Sequence, residues 1–280
     1  MNRRSAVPSP TQLLLVVALA ACATTRSAGD FGTARVMVYN IHAGKDASGA
    51  DNLERVAALI RETSADVVLL QEVDRGTRRS GGVDQPAELS RLTGLHMEFG
   101  RSLVYQGGDY GIAVLSRWPI TSRRTIPLPV SPPQDRSGSL HEPRVALQVV
   151  IASPVGALTV INTHIDASRD DRWRRQEIAT VLTVMDSTRG IVLFGGDLNS
   201  TPEGEIQQTV RSTGLRDAWQ VCGVGSERDG LTYPADSGVK RIDYLYFRAD
   251  AGCARAEVIA TRASDHRPLL VQMRVPHRVP

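Results

Sequence analysis

The sequence predicts a fold of the α/β (α+β) class, a pattern that two mixed sheets packed face to face with helices outside would satisfy. Three observations predict it. Short β-branched and apolar runs dominate the chain. Some of these runs follow one another across short turn segments, as hairpins do. Others alternate with helix-patterned segments, as strands joined by crossovers do. Packed sheets with helices on their outer faces satisfy all three.

The elements follow in order. Arg35 to Ile41 (RVMVYNI) is β-branched enough for a buried strand. Asp51 to Glu62 reads as a helix, with Asp51 as cap, Glu54 three residues on, and Leu53, Val56, Leu59 and Ile60 on one face. Asp66 to Gln71 is a short buried strand, and Pro86 to Leu92 a helix stopped by Gly94. Gly111 to Ser116 and Ile120 to Leu128 are strands joined at Arg117-Trp118-Pro119. Asp135 to His141 is the longest expected loop. Arg144 to Ile151 and Ala157 to Thr163 form a hairpin across Ser153-Pro154-Val155-Gly156. Ser168 opens a long helix with a stripe of Ile178, Val181, Leu182 and Met185. Ile191 to Phe194 is a strand, and Thr201 caps a helix with Pro202 in its first turn and Gly214 at its end. Ile242 to Phe247, Ala256 to Ala260 and Leu269 to Met273 are the final strands.

The N-terminal segment stands apart. Arg3 and Arg4 precede an apolar run, Leu13 to Ala21, that is too short to span a bilayer and suits a signal-peptide core. Leu19-Ala20-Ala21-Cys22 resembles the lipobox of bacterial lipoproteins, in which the cysteine is acylated. The expectation is a signal peptide over 1–21, a lipidated tether over 22–33 and a single body over 34–276. An ordinary secretory signal cut near Ala21 or Ala23 is the other reading. With Ala23 after the cysteine, the resemblance implies an exported protein of the cell envelope, anchored in the outer membrane through Cys22. Nothing in the pattern demands an obligate protein partner, so a monomer is expected.

The formal charge of +3 falls to +1 once residues 1–21, with two arginines and no acids, are removed. A near-neutral body argues against a strong sequence-independent grip on nucleic acid. Arg172, Arg174 and Arg175 form the densest basic group, with Arg78-Arg79 and Arg123-Arg124 behind it. All three read as solvated faces or loops. Cys222 and Cys253 can pair in an exported protein or remain free.

Four polar clusters carry the chemistry: Gln71-Glu72-Val73-Asp74, Asn162-Thr163-His164, Gly196-Asp197-Leu198-Asn199 and Ser264-Asp265-His266. The first three directly follow apolar runs, and strands ending this way deliver their residues to one sheet edge. Carboxylates, an amide and two imidazoles suit a hard divalent cation and an oxyanion substrate. Glu72 ends a buried strand, where an unpaired carboxylate is costly and a bound cation offsets the cost. Asp197 and Asn199 straddle Leu198 and are expected on one side of the chain. An Asx turn feeding the next helix is compatible with the same residues.

The order of these clusters resembles the endonuclease/exonuclease/phosphatase superfamily of metal-dependent phosphoesterases, from about Arg35 to Val275. The resemblance implies a four-layer α/β/β/α sandwich and hydrolysis of a phosphoester with Mg²⁺ or Mn²⁺. It implies Glu72 and Asp265 as metal ligands, assisted by Asn40. It implies His164 as a donor to a phosphate oxygen or the leaving group. Asp197 would orient or deprotonate water, and Asn199 would stabilise transition-state charge. Asp243, in Arg241-Ile242-Asp243-Tyr244, would hold the imidazole of His266. The base is either Asp197 or His266. Arg144 and Tyr110 resemble phosphate-binding residues, but Ile112 stands where many relatives carry Asn. Asp74 also lacks the basic character that some nucleases have at that step. Family precedent implies a phosphodiester. A nuclease needs basic grooves, and a sphingomyelinase-type phospholipid hydrolase needs an apolar hairpin. Neither is evident. A phosphoinositide phosphatase or a non-catalytic binding protein are the remaining alternatives.

Overall fold

The structure, a computed structural model, describes residues 31–132 and 142–276. The expected signal peptide, Cys22, most of the tether and the 135–141 loop lie outside the described residues.

Strands β1 (Phe31–Asn40), β2 (Val67–Arg75), β3 (His96–Tyr105), β4 (Gly108–Ser116), β11 (Gly252–Val258) and β12 (Leu269–Pro276) form one six-stranded sheet, in the order β11-β12-β1-β2-β4-β3. Strands β5 (Ile120–Leu128), β6 (Arg144–Ser153), β7 (Gly156–His164), β8 (Ile191–Asp197), β9 (Arg216–Asp217) and β10 (Asp243–Phe247) form the other, in the order β5-β6-β7-β8-β10-β9. Helices α1 (Leu53–Glu62) and α2 (Gln85–Thr93) cover the first sheet; α3 (Asp171–Ser187) and α4 (Glu205–Ser212) cover the second. A short α5 (Ala218–Cys222) packs against the inter-sheet core. The four-layer sandwich implied by the resemblance is therefore present.

Two-residue periodicity builds this arrangement. Val36 and Val38, Leu69, Ile112 and Val114, Leu158 and Val160, Leu193 and Leu245 all face the core between the sheets. Met37, Tyr39, Val68 and Leu70 face α1 and α2. Phe194, Tyr244 and Tyr246 face α3 and α4. Strands buried on both faces are why these runs read as continuously apolar.

Each sheet contains one parallel pair, β1 with β2 and β7 with β8. Parallel neighbours end at the same edge, so Asn40 lies beside Gln71 and His164 beside Asp197. β10 runs antiparallel to β8 and begins there, which sets Asp243 opposite Asp197. Gly196 is required in this row. Its φ is 143°, and a Cβ would meet the Thr163 carbonyl oxygen at 1.8 Å.

Several local expectations are corrected. The strand β3 was not foreseen, because this edge strand mixes Glu98, Gly100 and Arg101 into its apolar residues and shows no alternation. The short β9 and α5 gave no sequence signal either. Asp51 does not cap α1, since its carboxylate accepts from Lys45 at 2.8 Å. Asp170, not Ser168, caps α3 by accepting the Arg172 N–H at 2.8 Å. Thr201 and Pro202 form a turn closed by Gly204 N–H at 2.8 Å, and α4 starts only at Glu205. Arg174 is not solvated: it is buried, pairs with Asp171 and donates to the carbonyls of Asp166 and Ser168. Cys222 and Cys253 form a disulfide with a Cα–Cα distance of 5.9 Å.

Glu177 on α3 is buried and accepts the Asp166 N–H at 2.7 Å, bracing the turn that follows β7. Burial pushes its carboxyl up to about 8, against the opposing pull of the Asp166 N–H and Arg144. The folded protein thus holds a proton there that the unfolded chain releases near the ordinary value of 4.5. Folding stability contributed by this group therefore falls as pH rises between those two values. Glu177→Gln, which keeps the acceptor and cannot ionise, should melt above wild type at pH 9 and close to it at pH 5. Thermal melts giving the same wild-type-to-variant difference at both pH values would refute this.

Candidate active site

The inward-facing positions of the strands turn polar at their last step. After Val36 and Val38 comes Asn40; after Val67 and Leu69, Gln71; after Leu158 and Val160, Asn162 and His164; after Leu193, Asp197. The core thus ends in a layer of hydrogen-bonding side chains. Gln71 Nε2 donates to Asn162 Oδ1 at 2.7 Å, and Asn162 Nδ2 donates to the carbonyls of Leu70 and Ala113, both at 2.9 Å. These are bonds between the two sheets, and all the side chains are fully buried. Gln71 and Asn162 act as a cross-sheet clamp, a use the sequence did not reveal.

Asn40 sits directly beyond this clamp. Its Nδ2 donates to Glu72 Oε1 at 3.0 Å and to Asp197 Oδ2 at 3.1 Å, and its Oδ1 accepts the His42 N–H at 3.0 Å. With both ends of its amide engaged, Asn40 spaces two carboxylates that belong to different sheets. Ser264 Oγ donates to the Asn40 carbonyl at 2.8 Å and brings Asp265 and His266 to the same mouth.

Glu72 reaches this point because β2 bulges: Gln71 and Glu72 together oppose Ile112 on β4. Glu72 has φ of 54°, in the left-handed region. A non-glycine residue there costs on the order of 1–3 kcal/mol, and such strain concentrates at functional positions. His42, with φ of 48°, is another such residue, as is Asn199 with φ of 42°. Its N–H donates to Asp197 Oδ1 at 2.9 Å, so the Asx turn is real. The same turn points both Asp197 and Asn199 at His164.

His164 is fixed from both sides. Arg144 Nη1 lies 3.1 Å from Nδ1, and a guanidinium only donates, so Nδ1 accepts. Burial first, then the charges of Arg144 and His266, hold this imidazole well below its ordinary pKa. The neutral ring therefore carries its proton on Nε2, 3.6 Å from Asp197 Oδ2; the Asn199 Nδ2 at 3.1 Å is a donor too, so it does not bond this nitrogen and donates to the Ile165 carbonyl at 3.1 Å instead. His266 is the opposite case. Burial alone would lower it, but the charge and hydrogen bond of Asp243, then Asp197 and Asp265, raise it to about 10. Its Nδ1 lies 3.0 Å from Asp243 Oδ2, and its Nε2 lies 3.7 Å from Asp197 Oδ2. Burial and then Asp243 push the Asp197 carboxyl upward, opposed by His266, the Asn199 N–H and Asn40.

One cleft of about 850 Å³ is lined by Glu72, Tyr110, Arg144, His164, Asp197, Asn199, Asp265 and His266. Asn40 and Asp243 lie directly behind it, through the hydrogen bonds given above. All ten sequence-designated residues of the domain therefore meet at one place. Ile112 is buried in the core between the sheets, so that position serves packing while Tyr110 still reaches the cleft.

A family model for the "Endonuclease/Exonuclease/phosphatase family" matches residues 37–266. The chain belongs to this family. A structure titled endonuclease/exonuclease/phosphatase from Beutenbergia cavernae superposes with a TM-score of 0.75 at 25% identity, covering 87% of this chain and 72% of that one. A mannosyl-6-phosphatase from Bacteroides thetaiotaomicron gives a TM-score of 0.69 at 17% identity, over 86% of this chain and 99% of that one. The human Nocturnin catalytic domain with bound sulfate gives 0.66 at 20% identity, over 86% and 93%.

This endonuclease/exonuclease/phosphatase domain adds cleft residues that sequence reasoning missed. Arg79 and Lys240 line the wall, and Tyr233 packs its ring on His266 at 4.7 Å between centroids. His42 Nδ1 stands 3.8 Å from Asp265 Oδ1. Arg79, Tyr233 and Lys240 lie in no apolar-run-then-polar pattern, whereas His42 directly follows the Arg35 to Ile41 run and carried that signal. Arg241, the first residue of Arg241-Ile242-Asp243-Tyr244, is structural: it pairs with buried Asp217 at 2.7 Å and stacks on Tyr244. Tyr244 in turn donates to the Ser200 carbonyl at 2.7 Å, securing the turn after Asp197.

The donors fit a divalent cation. Asp197, Asp243 and His266 each offer one atom, all within 4.8 Å of one another. Asp243 Oδ1 is buried with no hydrogen-bond partner among the described residues. Glu72 and Asp265 add carboxylates at the cleft surface. Oxygen donors of this kind suit Mg²⁺ or Mn²⁺. Glu72 and Asp265 line the cleft while Asp243 is fully buried behind it, so the Glu72–Asp265 side is the better holder. Glu72→Gln should weaken Mn²⁺ binding by about tenfold or more in calorimetry, with His266→Gln nearer to wild type. The reverse order would put the ion in the buried Asp197–Asp243–His266 group.

Proposed function

We propose that this protein hydrolyses a phosphoester by attack of water on phosphorus. The observation that carries the reading is the pairing of two oppositely tuned imidazoles, His164 and His266, around one buried carboxylate, Asp197. Such divergent tuning of neighbouring groups supports acid–base work at a single centre.

Asp197 is the base in this reading. Its raised affinity for a proton lets Oδ2 take one from the attacking water near neutral pH. His266, held as an imidazolium by Asp243, supplies positive charge beside the developing phosphorane. His164, neutral and protonated at Nε2, donates to a phosphoryl oxygen, and the Asn199 amide donates beside it. Arg144 keeps the His164 ring in that tautomer. The new bond is water oxygen to phosphorus, the ester P–O bond breaks, the leaving oxygen takes a proton from solvent, and Asp197 returns the proton it accepted to solvent. A divalent cation at Glu72 and Asp265 would polarise a phosphoryl oxygen and neutralise charge.

The scissile group is read as a phosphodiester, and a mannosyl-6-phosphatase of the same fold keeps a monoester in view. Export with lipidation at Cys22 is likewise proposed; among the described residues no helix is long and apolar enough to cross a membrane.

The test is hydrolysis of bis(4-nitrophenyl) phosphate, 4-nitrophenyl phosphate, DNA, RNA, sphingomyelin and phosphoinositides by residues 23–280, with Mg²⁺, Mn²⁺ or EDTA. At least one substrate should be cleaved with the metal and spared with EDTA. On that substrate Asn199→Ala should lower kcat by about 10²–10³-fold, and Asp197→Asn by more. Wild-type kcat in either variant, or equal turnover in EDTA, would overturn the reading.

A further inference from the structure

We propose that Arg79 binds an anionic oxygen of the substrate's phosphoryl group and that Asp74 positions it there. This rests on the phosphoester reading and adds a binding residue to it. On the sequence, the step from Glu72 to Asp74 carries no basic residue, and Arg75, one position on, is spent on Asp109. The fold supplies a cation from five residues beyond Asp74. β2 ends at Arg75, Gly76 turns the chain with φ of 73°, and a single 3-10 turn over Arg78–Ser80 brings Arg79 back to the cleft wall. That turn is pinned by Thr77 Oγ1 donating to Asp74 Oδ2 at 2.7 Å and by Arg78 N–H donating to the Gln106 carbonyl at 3.1 Å.

The guanidinium of Arg79 is immobilised along one edge and on its face. Its Nε and Nη2 donate to Asp74 Oδ2 and Oδ1 at 2.7 and 2.8 Å, a two-point pairing with a fully buried carboxylate. Its Cζ lies over the rings of Tyr105 and Tyr110, at 4.9 and 5.2 Å from their centroids. Nη1 is left with no hydrogen-bond partner among the described residues. Arg174 makes the contrast, because its Nη1 is spent on the carbonyls of Asp166 and Ser168.

Further donors line the same cleft, alongside the carboxylates of Glu72 and Glu142. The Tyr110 phenol is raised well above its ordinary pKa, by burial first and then Glu72, while Arg144 and Arg79 pull the other way. It therefore stays protonated, with the Arg79 guanidinium 5.2 Å from its ring centroid. Arg144 is buried, and its Nε has no partner among the described residues. Arg79, Tyr110 and Arg144 line one cleft with hydrogen-bond donors to spare. Phosphoryl oxygens, which only accept, are the complementary chemistry.

The test uses the folded domain with Mg²⁺. Calorimetry measures inorganic phosphate binding, and kinetics with bis(4-nitrophenyl) phosphate give KM and kcat. Loss of one charged hydrogen bond in Arg79→Gln should raise both the phosphate Kd and KM by about 10- to 100-fold. The kcat should stay within about threefold, since binding rather than chemistry is lost. Arg79→Lys keeps the charge without the two-point pairing and should fall between. Asp74→Asn should raise KM on its own and add nothing in an Arg79→Gln background, where a merely structural role would add its full effect. Wild-type Kd and KM in Arg79→Gln overturn the proposal; if that variant does not fold, wild-type values in Arg79→Lys do so. Weakened phosphate binding in Arg79→Gln supports the subsite even if no ester is hydrolysed by wild type. Hydrolysis that ignores the substitution removes the subsite and leaves the reaction standing.

Discussion

A single amide spans the seam on which everything else depends. Asn40 ends a strand of one sheet and donates to Glu72 on its own sheet and to Asp197 on the other. Two carboxylates in a partly desolvated cleft repel each other, and leaving either unpaired costs several kcal/mol. The amide, the imidazolium of His266 and a bound cation offset that cost together. Each hydrogen bond from Asn40 to a charged oxygen is worth about 1.5–3 kcal/mol. Immediately behind it, Gln71 and Asn162 join the sheets with neutral hydrogen bonds, so the seam cannot slide. The site is therefore a property of the packed sandwich rather than of either sheet alone.

Strain follows from the same constraint. Regular pairing of β2 with β4 would continue the alternation that turns Gln71 inward. The bulge at Gln71 and Glu72 breaks it, at the cost of a left-handed Glu72. Asn199 is bent in the same way to stand beside His164. Gly196 lets β8 approach Thr163 closely enough for the Asp197 row to form. The surrounding apolar core, packed on both faces of each sheet, supplies the rigidity that holds these conformations in place.

Much of this was legible in the chain because strands that end in polar residues announce themselves. Asn40, Glu72, His164, Asp197 and Asp243 each terminate or begin an apolar run, and period two places them at one mouth. The helix α2 was equally readable from Pro86 and Gly94. What stayed hidden depends on contacts distant in sequence or on weak patterns. Edge strand β3 carries Arg101 and Gly100 and hides its period. Asp170 competes with Ser168 for the same cap, and only the backbone decides. Arg79 and Arg174 looked like solvated charge, because nothing local shows that Asp74 and the Asp166–Ser168 turn receive them. The tautomer of His164 also depends on Arg144, twenty residues away.

The most direct measurement is a double-mutant cycle in urea unfolding between Asn40→Ala in one sheet and Asp197→Ala in the other. A cross-sheet bond that organises the seam predicts a coupling of about 0.5–3 kcal/mol, because the second substitution removes a contact already lost. Additive losses, within about 0.3–0.5 kcal/mol, would mean the two side chains do not depend on each other. The account of how this cleft is held together would then fail.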